Sequence, residues 1–330
     1  VKMVEEFADG NYYAWFRGLH ALQVLALLVL VVRMLRVRRL TQAAIVPLAL
    51  AIVVGLHTFA GTVREAFPIN TFLTILLCCA AAVNLGQAAP RRANDIAAAA
   101  LLVFAMLTVE SGLLVWVLCV TGYFVGYRGV SRRGITALTA LVAAYFVVRF
   151  AVLDVGTPAL TERSTGFGFS VHDPPDLVRI FGANPLPFYL YNVASGISTV
   201  LFAEPRGGTW VFTREALAGT LRPWHVLNVA ASTATTAIIA RYVLARLADW
   251  RRGDFTDDDR IVALFCVLLP ANAAFVYAYA KDVIMSPAGL FYAAAAYVAV
   301  GALVPGDVPF RVPALRRSVA GLLVGAVAVA

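Results

Sequence analysis

The sequence predicts an all-α fold: a polytopic transmembrane helix bundle of about ten spans with one large extracytoplasmic loop. Three observations carry that expectation. Of the 330 residues, 61% are hydrophobic and 14% charged, a balance outside ordinary soluble domains. Apolar runs close to the roughly 17–25 residues that a bilayer span requires recur along the whole chain. The arginines cluster in every second interval between those runs, as the positive-inside rule expects. The runs are continuous rather than alternating, which argues against a transmembrane β-barrel.

Taken in order, the spans are expected at about 18–35, 42–60, 70–88, 94–109, 111–127, 134–153, 226–249, 261–280 and 287–305, with a last one starting near 318. Residues 94–127 form one apolar run, which as a single helix would be about 51 Å long against a hydrocarbon core of about 30 Å. The only polar break is "ESG", Glu110 to Gly112. Ser and Gly suit a turn, so the run reads as a helical hairpin with Glu110 at its tip, on a membrane face. The competing reading is one long tilted helix with a buried acid.

Arginine bias assigns the faces. Arg33, Arg36, Arg38 and Arg39 follow the first span, Arg91 and Arg92 the third, and Arg128, Arg132 and Arg133 the fifth. Those loops are expected to be cytoplasmic. The segment "RYVLARLADWRRGDFTDDDR" must be cytoplasmic too, and it comes out so only if 154–225 stays outside. The stretch 187–203 is then an interfacial or re-entrant helix rather than a span. This divides the chain into an N-terminal bundle (1–153), an extracytoplasmic loop (154–225) and C-terminal helices (226–330). The chain opens on "VKMVEEFADG" and stops within the apolar run "SVAGLLVGAVAVA", so it is expected to be a segment of a longer protein.

The net charge of +8 is explained by these loops. No DNA- or RNA-binding motif accompanies it, so no nucleic-acid partner is expected. Cys78, Cys79, Cys119 and Cys266 all lie inside apolar runs and read as small buried hydrophobes; no metal-ligand spacing is present. The acidic "DFTDDDR" reads first as a solvated cytoplasmic loop, with a metal site as the alternative.

Under this topology the unusual polar residues fall on the outer face. Glu5, Glu6 and Asp9 precede the first span, and His20 lies just inside it. Arg64 and Glu65 fall in the second outer loop and Glu110 in the third. Arg149 is one turn from the outer end of its span, His172 and Asp173 sit in the large loop, and Lys281 in the last outer loop. Each has a plain structural reading as well. Arg149 can snorkel to headgroups, His20 can be a satisfied core histidine, and "HDPPD" can be a rigid turn. Glu110 is the hardest to dismiss, because Ser-Gly alone would make the turn.

These residues sit in stretches that resemble the GT-C superfamily of integral-membrane glycosyltransferases, which includes the protein O-mannosyltransferases. The stretches are "NYYAWFRGLHALQVL", "GLHTFAGTVREAFPINTFLTILL", "LTVESGLLV", "AYFVVRFAVL" and "LYNVASGISTVLFAEP", with a weaker echo at "YAYAKDVIMSPAG". The resemblance covers roughly residues 10–205 and is one of order and hydropathy. Val109 stands where such proteins commonly carry a Lys, and none of the acids before the first span matches the family's acidic motif.

The resemblance implies transfer of a sugar from a polyprenyl-phosphate donor to an acceptor hydroxyl on a glycan, lipid or protein. The reaction would run at the outer leaflet, with inversion at the anomeric carbon. A carboxylate among Glu6, Asp9, Glu65 and Glu110 would act as general base or orient hydroxyls. Arg64, Arg149 and Lys281 would stabilise charge on the departing lipid phosphate, and His20, His172 and Asp173 would contact substrate. No cofactor is read from the residues; metal use varies in the superfamily, so a divalent cation stays open. The implied location is a bacterial inner membrane. The alternatives are a transporter or lipid flippase, and a non-catalytic GT-C-like membrane partner.

Overall fold

The computed structural model describes residues 12–37, 45, 71–154, 165–167, 170–182, 184–203, 209–278 and 282–303. The expected spans at 42–60 and from 318 lie outside these residues, as do Glu5, Glu6, Asp9, Arg64, Glu65 and Lys281.

The described chain is helical, apart from one small antiparallel hairpin of β1 (Thr165–Phe167) and β2 (Ser170–His172). The helices are α1 (Tyr12–Met34), α2 (Thr71–Gln87), α3 (Arg92–Thr108), α4 (Leu114–Phe124) and α5 (Arg132–Val147), then α6 (Pro174–Phe181), α7 (Leu186–Phe202) and α8 (Thr209–Leu217), and finally α9 (Pro223–Arg251), α10 (Asp257–Phe275) and α11 (Ser286–Leu303). Four are long and apolar enough to cross a membrane: Ala14–Met34, Arg132–Val152, Pro223–Arg251 and Val283–Leu303. Thr71–Gln87, Glu110–Phe124 and Leu186–Phe202 are apolar but shorter.

Burial separates these helices into two kinds. In the apolar stretch of α11, 89% of residues are buried, against 22% for α1 and 11% each for α5 and α9. So α11 is the central post, packed by α2, α7, α9 and α10 around Phe291 and Tyr292, neither of which has exposed surface. The outer helices turn large apolar side chains outward, such as Leu22 and Leu25 on α1 and Leu227 and Leu244 on α9. A contiguous apolar exterior of this kind is a liability in water and ordinary against lipid. Cys78, Cys79 and Cys119 are buried as expected, whereas Cys266 is exposed on α10.

The arginine-rich helix ends gather at one end of the bundle. Asn84 on α2 donates to the Leu30 carbonyl (2.9 Å) and Gln87 to that of Met34 (3.0 Å), so α1 and α2 run parallel with their C-termini together. Arg260 at the start of α10 donates to the Val125 carbonyl after α4 (2.9 Å). It also bonds Asp257 (2.8 Å), which pairs with Arg36 beyond α1. The starts of α3 and α5 meet where Ser131 donates from its backbone N–H (2.8 Å) and hydroxyl (2.7 Å) to Asp95.

α7 enters from the opposite, distal end. There Asn192 donates to the carbonyl of Tyr277, just past α10 (2.9 Å). Ten residues later the helix stops beside the middle of α9: Thr236 donates to the Leu201 carbonyl (2.6 Å) and shares a hydrogen bond with Tyr292 (2.8 Å). Ala203 closes it in the left-handed region (φ 58°).

Asp254, Asp257 and Asp258 are exposed, as the reading of "DFTDDDR" as a solvated loop expects, but the structure corrects that reading at Asp259. Thr256 caps α10 and Asp259, three residues on, completes a capping box, the arrangement that satisfies two open N–H groups at a helix start. That geometry turns Asp259 inward until none of it is exposed. Its carboxylate accepts from Tyr242 (3.0 Å), from Arg246 on both oxygens (3.0 and 2.9 Å) and from Thr256 (2.8 and 2.7 Å). Burial pushes this carboxyl up, but the bonds from Arg246 and Thr256 outweigh it and hold it well below the usual range.

Asp259→Asn is expected to cost about 1.5–3 kcal/mol of stability at pH 7, the worth of a charged hydrogen bond, read by thermal unfolding in detergent. Because the folded-state pKa is depressed, the parent's advantage is fully present above the unfolded value near 4. It should shrink as the pH falls below about 4.

Candidate functional site

Residues 94–127 fold as two helices with a turn between them, not as one long helix. α3 ends at Thr108, Val109 is extended, and Glu110–Leu113 form one 3-10 turn that leads into α4. Gly112 makes the reversal possible. A Cβ there would stand 2.2 Å from the Ala105 carbonyl carbon and 2.3 Å from its oxygen, closer than any side chain can sit. Gly112 N–H donates to the Val109 carbonyl (2.8 Å), and Ser111 is buried beneath the turn. Glu110 is left on the rim with 51% of its side chain exposed.

α5 rises to the same level from the arginine-rich end. Its last turn, Val148–Val152, is π-helical, with Leu153 N–H bonding back to the Val148 carbonyl (2.9 Å). Single π turns are costly and recur at functional positions, and this one carries Arg149. The Arg149 guanidinium pairs with Glu110 (Nη2 to Oε1, 3.0 Å) and donates from Nη1 to the Tyr145 hydroxyl (2.8 Å). Its carbon lies 6.0 Å from the ring centres of both Tyr145 and Phe150, within cation–π range. Phe146 stacks parallel to Phe150 at 5.9 Å. With 24% of its side chain exposed, Arg149 is a half-buried cation on an aromatic bed, facing a half-exposed carboxylate.

The structure joins two of the sequence-derived candidates, Glu110 and Arg149. It places His20 elsewhere, buried in α1, whose main packing partner is α2. His172 ends β2, and Asp173 occupies the N-cap of α6, its carbonyl accepting from Asp176 (3.0 Å) and Leu177 (3.1 Å). Pro174, the first helical residue, is where proline starts a helix best, so "HDPP" serves here as a helix entry.

Sequence reasoning missed Tyr145, although its position four residues before Arg149 puts it on the same helix face. It also missed a second polar cluster before α9. Glu215 accepts from Thr220 (2.6 Å) and from two nitrogens of Arg214 (2.7 and 3.1 Å), bonds that hold its carboxyl below the usual range. Nearby, His225 Nδ1 accepts from the Arg222 N–H (3.1 Å), and its ring centre lies 3.7 Å from that of Trp224.

Among the described residues no group of three or more His, Cys, Asp or Glu could hold a metal ion. A cavity of about 160 Å³, lined by Arg36, Gln87, Asp257 and Asp258 among others, lies at the arginine-rich end, away from the Glu110–Arg149 pair. It is smaller than the roughly 300–1,000 Å³ of typical small-molecule pockets.

The fold thus defines a class: a helical bundle in which four of the described helical segments are long and apolar enough to cross a membrane, with an acid–arginine pair at the tip of a helical hairpin. No family model, no curated protein and no solved structure matches this chain.

Gly112→Ala is expected to destabilise the protein by about 1–3 kcal/mol through overpacking against α3. Gly18→Ala, in α1 with nothing within 4 Å of the added carbon, should be neutral or stabilising by up to about 1 kcal/mol. Parallel thermal unfolding of the two variants in detergent checks the contrast.

Proposed function

We propose that this chain is a multi-pass membrane glycosyltransferase of the GT-C type. It moves a sugar from a polyprenyl phosphate to an acceptor hydroxyl at the extracytoplasmic face of a bacterial inner membrane. The observation that carries the reading is the Glu110–Arg149 pair, held on an aromatic bed at the end of the bundle away from the arginine-rich ends. The chemistry requires a cation for the lipid phosphate and a carboxylate for the acceptor hydroxyl, side by side where a lipid headgroup meets water.

Arg149 has five N–H donors in a planar fork, and the Tyr145 hydroxyl and Glu110 occupy only part of it. The remainder can receive phosphate oxygens, stabilising the charge that develops as the glycosidic bond breaks. Glu110 can accept the hydroxyl proton or orient the group that does. Glu6, Asp9 and Glu65 are the other proposed acids, Arg64 and Lys281 the other proposed phosphate-binding cations, and His20, His172 and Asp173 the proposed substrate contacts. The proposed topology has about ten spans, with 154–225 as the extracytoplasmic loop and α7 as its re-entrant helix.

One observation favours a second reading, a transporter or lipid flippase: α7 stops beside the middle of α9, as the broken helices of transporters do. Cysteine placed at position 110 or 149 separates the two. Labelling from one side only fits the transferase, and labelling that switches sides with state fits transport.

In a transfer assay with full-length protein in native membranes and polyprenyl-phosphate sugars as donors, Glu110→Gln and Arg149→Gln should each lower the rate about tenfold or more, roughly 1.4 kcal/mol of barrier. Unchanged rates in both would remove the pair from the site. No transfer by the parent with any donor would remove the enzyme class.

A further inference from the structure

The arginine-rich end carries a cationic patch that neither the packing nor the proposed transfer site uses. The starts of α3 and α5 are locked together. Asp95 accepts from Ser131 on both oxygens (2.8 and 2.7 Å), and Asn94 donates to the Gly129 carbonyl (3.0 Å). A Cβ on Gly134 would stand 2.4 Å from Asp95. This contact sets two arginine pairs side by side, Arg91–Arg92 on α3 and Arg132–Arg133 at the first turn of α5.

All four arginines are exposed, and none has a carboxylate partner among the described residues. Other arginines of this end do have carboxylate partners: Arg36, Arg246, Arg252 and Arg260 are all in ion pairs. The nearest acid, Asp95, has both oxygens occupied by Ser131. The start of α3 also lacks a side-chain cap, so its first N–H groups add positive potential.

Below the patch, α3 presents an apolar face that no described residue covers. Ile96, Phe104 and Leu107 are 71%, 57% and 83% exposed, in line along the helix. A cationic cluster above an exposed apolar stripe is complementary to one kind of molecule, an anionic head on acyl chains. We propose that Arg91, Arg92, Arg132 and Arg133 form a headgroup site for an anionic phospholipid of the adjacent leaflet, with its acyl chains along Ile96, Phe104 and Leu107 of α3. The site rests on this end of the bundle lying at a membrane surface. It does not depend on the transferase reading, and its test involves no sugar transfer.

Native mass spectrometry of the full chain in detergent, titrated with dioleoyl phosphatidylglycerol or dioleoyl phosphatidylcholine, tests it. Phosphatidylglycerol should bind about tenfold or more tighter than phosphatidylcholine. The double variant Arg91→Gln/Arg132→Gln should lose about tenfold of that preference, since an arginine near an anionic head contributes on the order of a fivefold change. The control Arg241→Gln/Arg251→Gln, with the same charge loss elsewhere on exposed surface, should keep it.

Equal binding of the two lipids overturns the proposal. So does equal loss in both double variants, which would make the effect diffuse charge. Competition by millimolar inorganic phosphate that abolishes the preference also overturns it, because the ligand would then be free phosphate rather than lipid. If the glutamine variant unfolds early in phosphatidylcholine, Arg91→Lys/Arg132→Lys takes its place. That variant must retain most of the preference, and its loss counts against a charge-based site.

Discussion

The close approach of Gly112 to the backbone of Ala105 is the constraint on which the rest of the bundle depends. It lets an apolar run that is too long for one crossing turn back on itself within four residues, Glu110–Leu113. The reversal returns α4 to the arginine-rich end, where Val125 meets Arg260 and Tyr127 receives the amide of Gln87. It also puts α5 beside α3, with Asp95 gripping Ser131 at one end and Glu110 meeting Arg149 at the other. Were 94–127 a single helix, every later element would run the opposite way. Arg128, Arg132 and Arg133 would then leave the end where the other arginines gather.

The two ends of the bundle use charge differently. At the arginine-rich end Asp259 has no exposed surface, and three side chains and a backbone N–H meet its two oxygens. A buried carboxylate is tolerable only when its lone pairs are filled in this way, and the result is a fixed joint between α9 and α10. At the distal end Glu110 is half exposed and meets one guanidinium nitrogen of Arg149. The first arrangement suits holding helices together; the second leaves both partners open to a third group.

Much of this was legible in the sequence, for identifiable reasons. Hydropathy places α1, α5, α9 and α11, because lipid and protein interiors both demand apolar side chains. The same fact hides which helix is central. Hydrocarbon is as apolar as leucine, so α11, almost wholly buried, and α5, little of which is buried, carry similar hydropathy, 1.7 and 2.0. The hairpin was readable from bilayer thickness and "ESG". The fate of Asp259 was not, since three successive acids look equally solvated until Thr256 and Asp259 are seen as the two halves of a capping box. In the candidate site, Glu110 and Arg149 stand out as charges in apolar runs. Tyr145 and the π turn do not, because a tyrosine in an aromatic stretch and a one-residue bulge leave no mark on composition.

The energetics of the Glu110–Arg149 pair bear on what it can do. An exposed ion pair contributes only about 0–1 kcal/mol, and half-exposed Glu110 places this one near that class. Arg149 has other contacts besides the acid: its guanidinium donates to the Tyr145 hydroxyl and lies 6.0 Å from the Phe150 ring centre. So separating the pair costs little while the guanidinium stays in place. In the proposed reaction a donor phosphate, with its greater charge and three or more oxygens, would outcompete one carboxylate oxygen for the fork, and Glu110 would then stand beside it with an empty acceptor. The resting pair and the proposed catalytic arrangement therefore need no refolding between them. They differ by the rotation of one side chain at the tip of a hairpin that Gly112 fixes.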